Sequence, residues 1–541
     1  MKCGLCDSLE WLYPDSKVAD KPALELACDC PANGVADVNV LFNGLDTGRP
    51  LQFSASIEAV DQGVSEYDCR FFRLVDVPVE KNTGPGNFAE VDGGPKNEFV
   101  TRRAPFRVYD AMEPLEGDSV LPAAKTMALR FRAVFSEAGT YRATLKFSQG
   151  KSVKTLAFET SVHEVFLPEV GRESFPYTNW ISYGNIAKRH GIEPWSERHY
   201  RMIAQYARLM ASGRQNTFII PLGCIFEVED GMPLLNEMRL ERLVKIFTDA
   251  GLHYIEGGHF GSRSDGRWNC PTFSTVVVKE LATSPAGCRV IASIAGQLMG
   301  AIRKNGWQDR WIQHVADEPI PDNAADYRMF CGIVRRYMPG IPLMDATQDP
   351  DMAGAVDAWC PLVDHFEAAR EKFDDARKAR GDKVWYYTCC CPGGRFMNRL
   401  LDNELLRPLY LGWAGALYGL DGFLHWGLNQ YPDNECPFNR SVIPNWGGGT
   451  NALPPGDTHV VYPGPKGPWP SVRFEAMRQG FEDGDLLRRL RRCNAAKADE
   501  LIGKLVRGFG DYTPDVALYR SVRRELFKAV MAAYHTDAMP F

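Results

Sequence analysis

The chain has 541 residues and a formal net charge of −6 at pH 7. Hydrophobic residues make up 45% of the chain and charged residues 24%, proportions typical of a folded globular protein rather than a disordered one. The mild negative charge excludes the broad basic surface that nucleic-acid binding requires, and no apolar run approaches the roughly 18 residues of a membrane span. We therefore expect neither a nucleic-acid partner nor a membrane partner.

The first 170 residues carry the pattern of β-strands. Apolar and polar residues alternate with a period of two, and turn residues separate the runs, at 38–43, 51–57, 141–147 and 155–162. Several short strands without helical periodicity are typical of a β-sandwich. We therefore predict an N-terminal β-sandwich over residues 1–170.

After Pro176 the pattern changes to strands that alternate with helices. The predicted strands lie at 178–182, 217–222, 253–259, 310–317, 342–347, 358–361, 383–389 and 422–427. The predicted helices lie at 196–210, 240–250, 288–305, 324–337, 366–379, 404–418 and 471–490, and Ser196 is a suitable N-cap for the first of them. The fifth gap is short, so we expect a turn there in place of a helix.

Eight such alternations over about 250 residues are typical of a (β/α)8 barrel. The rival architecture is a doubly wound open sheet, which usually carries a Gly-rich phosphate turn after its first strand. Here that strand is followed by Tyr183-Gly184-Asn185, which lacks the pattern. We predict a TIM-like (β/α)8 barrel over 171–492 and a C-terminal helical extension over 493–541.

The 15 cysteines are odd in number and irregularly spaced, which does not form a disulfide framework and favours a reducing compartment. Cys3-x-x-Cys6 resembles half of a zinc site, but no second CxxC pair follows, so we favour unpaired thiols. Asp7 and Glu10 interrupt any apolar core of a signal peptide. We expect a cytoplasmic protein, or a periplasmic or secreted one if a signal preceded Met1.

In a barrel, catalytic groups lie at the carboxyl ends of the strands. The predicted strand ends are rich in aromatic residues and carboxylates, a combination that suits sugars, because Trp and Tyr stack on their C–H faces while Asp, Asn and His bind their hydroxyls. The residues that we predict to bind substrate are Asn179, His259, Asp345, Trp385, Tyr386, Tyr387, Trp426 and Asn429.

The segment Asp317-Glu318-Pro319 follows the fourth predicted strand and has two interpretations. Such a triplet often forms the N-cap and first turn of a helix. In the second interpretation, Glu318 is the carboxylic acid that protonates the leaving oxygen of a glycosidic bond. The aromatic strand ends around the triplet favour the second interpretation.

Other catalytic patterns are weak. His, Asp and Glu do not recur at the spacing of a catalytic metal site, and no G-x-S-x-G elbow is present, so we predict no metal, no cofactor and no serine nucleophile. The consecutive Cys389, Cys390 and Cys391 offer a thiol nucleophile, but we favour a tight strand end built from small residues.

Several strings, which together span roughly residues 170–492, resemble the catalytic domain of glycoside hydrolase family 123. They are Asn185-Ile186-Ala187-Lys188-Arg189-His190-Gly191, Asn305-Gly306-Trp307-Gln308-Asp309-Arg310 leading to Asp317-Glu318-Pro319, Gly422-Phe423-Leu424-His425-Trp426-Gly427, Val461-Tyr462-Pro463-Gly464-Pro465, and Arg473-Phe474-Glu475-Ala476-Met477-Arg478.

The resemblance implies a β-sandwich ahead of a (β/α)8 barrel, and removal of terminal β-linked N-acetylgalactosamine with retention of configuration. In that chemistry the 2-acetamido oxygen of the sugar attacks the anomeric carbon. The resemblance further implies that Glu318 is the general acid/base and that Asp317 stabilises the acetamido group. A tyrosine commonly binds the acetamido group in such enzymes, and Tyr387 or Tyr386 takes that role.

Two alternatives remain open. A substrate without an acetamido group requires a protein carboxylate as nucleophile, and Glu256 or Asp345 is then the candidate. The other alternative is a non-catalytic carbohydrate-binding protein. In each case the expected partner is an oligosaccharide or glycoconjugate, and the oligomeric state stays open.

Overall fold

The computed structural model describes residues 1–60, 66–347, 349–432, 434–445 and 450–534. The described part of the first 170 residues forms two five-stranded sheets, with strand orders β1-β3-β8-β5-β6 and β2-β10-β9-β4-β7. Neighbouring strands are antiparallel, except that β10 and β2 are parallel. The strands are β1 (Lys2–Cys6), β2 (Glu25–Ala32), β3 (Val35–Asn43), β4 (Leu51–Ala59), β5 (Tyr67–Val79), β6 (Phe106–Pro114), β7 (Ser119–Val120), β8 (Thr126–Phe135), β9 (Gly139–Gln149) and β10 (Ser152–Phe166).

The two sheets enclose an apolar core, as the alternating sequence pattern predicts. Phe42 of one sheet meets Phe147 of the other with ring centroids 5.0 Å apart, and Phe71 and Phe131 pack beside them. Alternate residues of β9 point into this core, so every second residue from Tyr141 onward is buried. The predicted β-sandwich is confirmed.

Eight parallel strands follow in chain order, close to the eight predicted positions. They are barrel strands 1 (Tyr177–Asn179), 2 (Thr217–Ile220), 3 (Tyr254–Gly257), 4 (Trp311–Gln313), 5 (Met344–Asp345), 6 (Ala358–Trp359), 7 (Lys383–Tyr387) and 8 (Gly422–His425). Strands 2, 3 and 4 pair in order, as do strands 5, 6, 7, 8 and 1. A bridge between Gln313 and Leu343 joins strand 4 to strand 5.

The remaining junction, between strands 1 and 2, is made by Asn216. Its side-chain oxygen accepts the backbone N–H of Tyr177 at 3.0 Å, and its own N–H donates to the Tyr177 carbonyl at 3.3 Å. Asn216 therefore bridges strands 1 and 2, and the arrangement of the described strands is consistent with a TIM-like barrel.

The helices lie outside this ring. They are α1 (Tyr183–Arg189), α2 (Glu197–Ser212), α3 (Leu222–Ile225), α4 (Glu237–Asp249), α5 (Pro285–Asn305), α6 (Ala324–Tyr337), α7 (Val363–Ala368), α8 (Arg370–Arg380), α9 (Leu406–Leu417), α10 (Val472–Cys493), α11 (Ala495–Leu505) and α12 (Val516–Tyr534). Ser196 caps α2, because its hydroxyl accepts the His199 N–H. Strands 5 and 6 are joined without a described helix, as the short fifth gap predicts.

The sandwich and the barrel are joined by polar contacts as well as apolar ones. The side chains of Arg473 on α10 and Asp110 on β6 are both fully buried and form an ion pair at 2.9 Å. The segment 80–105, between β5 and β6, reaches the barrel, where Asp402 accepts hydrogen bonds from Asn82 and Thr83. This segment therefore lies against the strand 7 side of the barrel.

The predicted boundary at residue 170 lies in the connection between β10 and barrel strand 1, and the one at 492 lies in the last turn of α10. Among the helices of the described residues, none combines the length and the low charge that crossing a bilayer demands.

Candidate active site

The Asp317-Glu318 pair follows barrel strand 4 and is fixed through its backbone. Arg263 donates to the carbonyl of Asp317 at 3.1 Å and to that of Glu318 at 2.8 Å. Arg263 belongs to a short hairpin, Gly261–Arg263 with Phe273–Thr275, that follows strand 3. Glu318 has a φ of +48°, a left-handed conformation that is unusual for a side chain of this size and that occurs at functional sites.

Strand 7 supplies a tyrosine to Glu318. Tyr387 points into the barrel, and its hydroxyl donates a hydrogen bond to Oε1 of Glu318. Because side chains alternate along a strand, Tyr386 points outward, and its hydroxyl donates to the carbonyl of Leu411 on α9 at 2.6 Å. Trp385 points inward again and packs in the barrel interior beneath Tyr387. Of the two tyrosines predicted from the sequence, Tyr387 is the one that meets the Asp-Glu pair.

A buried ionic network lies under the pair. His314 is fully buried, with Nδ1 at 3.0 Å from Asp345 Oδ1 and Nε2 at 3.1 Å from Glu256 Oε2. Burial lowers the pKa of His314, but the hydrogen bonds to the two carboxylates outweigh it and raise that pKa to about 10. His314 is therefore an imidazolium at neutral pH, held between Asp345 and Glu256.

Asp345 accepts further hydrogen bonds, from the N–H groups of Val315 and Ala316 at 3.0 Å and from the hydroxyl of Tyr327 at 2.6 Å. Burial raises its pKa, but the proximity of His259 and the hydrogen bond with His314 outweigh that effect and bring the pKa to about 2. Glu256 accepts from the indole N–H of Trp180 at 2.7 Å in addition to His314. Both alternative nucleophiles named from the sequence are thus fully buried and bonded to the barrel.

Asp317 remains exposed to the cleft beside His259. It is nevertheless surrounded by protein on most sides, and this desolvation raises the pKa of Asp317. The charge of His259 lowers that pKa, and the charge of Asp345 raises it. His259 lies 3.4 Å from Asp345 and packs edge-on against Trp180, with ring centroids 5.5 Å apart. His259 therefore borders the buried network, and its charge acts on Asp317.

Asp457, after strand 8, is a third carboxyl group at this site, and the sequence analysis missed it. Burial raises the pKa of Asp457 to about 7, although the charge of Arg399 and the hydrogen bond from Trp426 lower it. Trp426 donates to Oδ1 at 3.3 Å, while Oδ2 has no hydrogen-bond partner among the described residues. Asp457 lies in an irregular loop, and no periodic or motif signal marks it in the sequence.

Two adjoining cavities meet at Glu318. The inner cavity has a volume of about 270 Å³ and is lined by Trp180, Asp317, Glu318, Tyr387, Trp426 and Asp457, among others. The outer cavity, of about 610 Å³, is lined among others by Phe88, Arg263, Trp268, Glu318, His365 and the three consecutive cysteines 389–391. A carboxyl group at the junction of two cavities is placed to act on a bond that joins their occupants.

The segment 80–105, between β5 and β6, forms part of the wall of the outer cavity. Asn87 and Phe88 line the outer cavity, and the Phe88 N–H donates to the Cys390 carbonyl at 2.9 Å. A Cβ atom on Gly393 would lie 2.1 Å from the Gly84 carbonyl oxygen, so the two loops pack at backbone distance. The sandwich therefore contributes side chains to the cavity as well as supporting the barrel.

Of the residues predicted to bind substrate, Tyr387 and Trp426 line the inner cavity, and Asn179 and Asn429 are among those that lie elsewhere. The side chain of Asn179 donates to the Tyr177 hydroxyl at 2.6 Å and accepts from Arg399 at 2.8 Å. The amide of Asn429 exchanges hydrogen bonds with the backbone of Ser182 at 2.7 and 3.0 Å. Both side chains are buried and are engaged in joining barrel loops, so we leave them out of the proposed substrate site.

Two groups of cysteines were considered as functional from the sequence, the Cys3–Cys6 pair and the consecutive cysteines 389–391. Cys3 and Cys6 lie on β1 and belong to none of the possible metal-ligand clusters in the described part of the chain. Those clusters are Cys389–Cys390–Cys391 and His259–His314–Asp345, and the second is the ionic network described above. Contact with Cys390 and burial raise the pKa of the Cys389 thiol well above its usual value, which does not suit a thiolate nucleophile.

Comparison with known proteins gives one family match and several structural matches. Residues 238–490 match the model of the glycoside hydrolase 123 catalytic domain. Among solved structures, the chain is similar to a family 123 glycoside hydrolase from Clostridium perfringens studied for glycolipid glycan hydrolysis, with a TM-score of 0.73, 11% identity, and coverage of 99% of this chain and 98% of that one.

More distant likenesses include a xylanase 10B from Clostridium thermocellum (TM-score 0.34, 9% identity, 84% of this chain and 90% of that one). Another is an endo-β-1,4-mannanase from Thermotoga petrophila (TM-score 0.36, 10% identity, coverage of 58% of this chain and 78% of that one). A search of curated proteins gives no significant match.

A barrel of this class that carries the matched catalytic domain is a glycoside hydrolase. Residues 238–490 of this chain therefore correspond to the catalytic domain of glycoside hydrolase family 123.

Proposed function

We propose that this protein releases terminal β-linked N-acetylhexosamine, N-acetylgalactosamine in preference, by a retaining and substrate-assisted mechanism. The observation that supports this most directly is the position of Glu318 at the junction of the two cavities, with Asp317 beside it in the inner one. The inner cavity has the size for a single sugar ring, and its two tryptophans offer faces on which a ring stacks. The outer cavity is left for the group to which the sugar is attached.

In the first step, Glu318 donates its proton to the glycosidic oxygen as the bond from that oxygen to the anomeric carbon breaks. The acetamido oxygen of the sugar forms a new bond to the same carbon, giving an oxazolinium ion and a free alcohol. Asp317 accepts the acetamido N–H and stabilises the positive charge. In the second step, the Glu318 carboxylate takes a proton from water, the water oxygen bonds to the anomeric carbon, and the ring opens to the acetamide.

The supporting side chains fit these roles. Tyr387 holds Oε1 of Glu318 through its hydroxyl, and Arg263 fixes the carbonyls of both acidic residues. Such contacts keep the acid in one orientation before substrate binds, which is how an active site lowers the entropic cost of reaction.

A protein nucleophile has less support. Retaining enzymes of that kind place two carboxyl groups about 5–5.5 Å apart across the bond. Glu256 and Asp345 are fully buried and bonded to His314, so neither faces a sugar. Asp457 borders the inner cavity, but its raised pKa keeps it largely protonated below about pH 7, which suits a hydrogen-bond donor to a sugar hydroxyl better than a nucleophile.

The test is turnover of nitrophenyl β-glycosides of N-acetylgalactosamine, N-acetylglucosamine and galactose by the parent and by Glu318→Gln and Asp317→Asn. We expect N-acetylgalactosamine release that falls by about 10³-fold or more in both variants, because each removes a group that acts in the transition state. Glu371→Gln on exposed α8 is the matched control and is expected to keep full activity. Full activity in Glu318→Gln contradicts the assignment.

Inhibition separates the two glycosidase mechanisms. A thiazoline analogue of the oxazoline intermediate should inhibit strongly only if the acetamido group is the nucleophile. Galactoside turnover without inhibition by the thiazoline supports a protein nucleophile. Sugar binding by calorimetry without turnover of any glycoside or oligosaccharide supports a carbohydrate-binding protein.

A further inference from the structure

The loop after strand 7 brings three thiols together at the cavity wall. The N–H of Cys389 donates to the carbonyl of Cys391 at 2.9 Å, which curls the tripeptide so that its side chains converge. The Sγ atom of Cys389 lies 3.4 Å from that of Cys391 and 3.9 Å from that of Cys390, and all three sulfurs lie within 4.8 Å of one another.

We propose that Cys389, Cys390 and Cys391 form a binding site for one soft metal cation, of which Zn²⁺ is the physiological candidate. A Zn–S bond of about 2.3 Å in tetrahedral geometry places two sulfurs about 3.8 Å apart, close to the separations in this cluster. Thiolates select soft or borderline cations over Mg²⁺ and Ca²⁺. On binding, each coordinating thiol gives its proton to solvent, and no oxidant is needed.

The backbone around the thiols is fixed before any ion binds. Asn398 is fully buried, and its amide donates to the carbonyls of Cys389 and Pro392 at 2.9 and 3.2 Å. From the N-terminal segment, Phe88 donates to the Cys390 carbonyl. Partners of this kind, which orient the ligands without touching the metal, are a regular feature of metal sites.

The cluster also has access to solvent and to the catalytic residues. All three cysteines line the outer cavity, and Cys389 and Cys390 line the inner one as well. A coordinated ion with three sulfur ligands keeps a position for water on the cavity side. Because Glu318 lies on the same wall, an ion bound here obstructs the acid, and we infer that the site inhibits the enzyme when it is filled.

The test uses the full chain, reduced and then transferred to oxygen-free buffer without reductant, with 15 free thiols verified by thiol titration after denaturation. Cd²⁺ is the probe, because its thiolate complexes absorb in the ultraviolet, and equilibrium dialysis with elemental analysis gives the stoichiometry. We expect one Cd²⁺ per chain, with the ultraviolet absorbance of three Cd–S bonds. We also expect added Cd²⁺ to displace Zn²⁺ that was bound beforehand, because both ions use the same site.

The variants are Cys390→Ser and Cys391→Ser, each expected to weaken Cd²⁺ binding at least about tenfold. Cys436→Ser, which replaces an exposed thiol, is the matched control and should leave binding unchanged. Circular dichroism and thermal unfolding verify that each variant is folded. No Cd²⁺ bound at micromolar concentration, or equal binding by the parent and both cluster variants, overturns the proposal.

The metal measurement does not depend on the proposed function. If the chain also releases N-acetylhexosamine, Cd²⁺ should inhibit the parent and not Cys391→Ser, and a chelator should restore the rate. Bound Cd²⁺ without inhibition keeps the site and overturns only its inhibitory role.

Discussion

The hydroxyl of Tyr387 donates a hydrogen bond to Oε1 of Glu318, across the barrel from strand 7 to the loop after strand 4. The bond joins the acid to a side chain that is itself buried in the barrel interior. Tyr387 therefore holds one carboxyl oxygen of Glu318 in place.

Replacing Tyr387 by Phe removes this hydroxyl while keeping the ring. We expect kcat for the nitrophenyl N-acetylgalactosaminide to fall about 10–100-fold with KM nearly unchanged, because a hydrogen bond to a charged group contributes about 1.5–3 kcal/mol. Steady-state kinetics measure this. Tyr386→Phe is the matched control, because it loses a hydrogen bond to Leu411 outside the barrel and should lower stability by about 1 kcal/mol while keeping kcat. Equal kcat values for the two variants would contradict the role given to Tyr387.

Asp457→Asn should change how stability depends on pH. The ordinary pKa of this carboxyl is 3.8, and in the folded protein it is about 7. Between pH 3.8 and about 7, Asp457 therefore keeps its proton in the folded protein but has lost it in the unfolded chain. The stability that this protonation contributes is therefore lost as the pH rises through about 7. Asn carries no such charge, so the variant should gain stability relative to the parent between about pH 5 and pH 8, by roughly 2–4 kcal/mol.

Urea unfolding of both proteins at the two pH values measures this difference. Asp249→Asn, which replaces an exposed carboxylate on α4, should follow the parent at both. Parallel pH curves for Asp457→Asn and the parent would mean that the carboxyl is ionised in the folded state.

His259→Gln should move the acid limb of the activity profile. The charge of His259 lowers the pKa of Asp317, so its removal raises that pKa, and the Asp317 anion then forms only at higher pH. Since the anion stabilises the oxazolinium ion, kcat/KM should reach its plateau at a higher pH than in the parent. A pH series of kcat/KM tests this, with His253→Gln at the opposite end of strand 3 as the control. If the acid limb of kcat/KM does not move in His259→Gln, the charge of His259 does not control the ionisation of Asp317.

The sequence predicted the fold better than the site. The eight strands and the helices between them follow from local periodicity, which even places the α2 cap at Ser196. Asp317 and Glu318 were predicted to be catalytic because a motif marks them at a strand end, and that role stays a prediction. For Asn179, which was predicted to bind substrate, the strand pattern does not reveal the buried Arg399 that donates a hydrogen bond to its side chain. Arg263 and Asp457 come from a hairpin and a loop without periodicity, so only the tertiary fold brings them to the cavities.

Phe88→Ala should weaken the binding of large substrates more than that of small ones. Phe88 comes from the sandwich and lines the outer cavity, where we place the group attached to the sugar. Removing its ring should raise KM for an oligosaccharide or glycoconjugate about 5–30-fold, because burying an aromatic contact contributes about 1–2 kcal/mol. The KM of the small nitrophenyl glycoside should change less. Phe99→Ala, on the same segment but exposed, is the matched control and should change neither substrate. If both substrates respond equally to Phe88→Ala, the segment supports the strand 7 loop through its backbone bond to Cys390 and does not bind the leaving group.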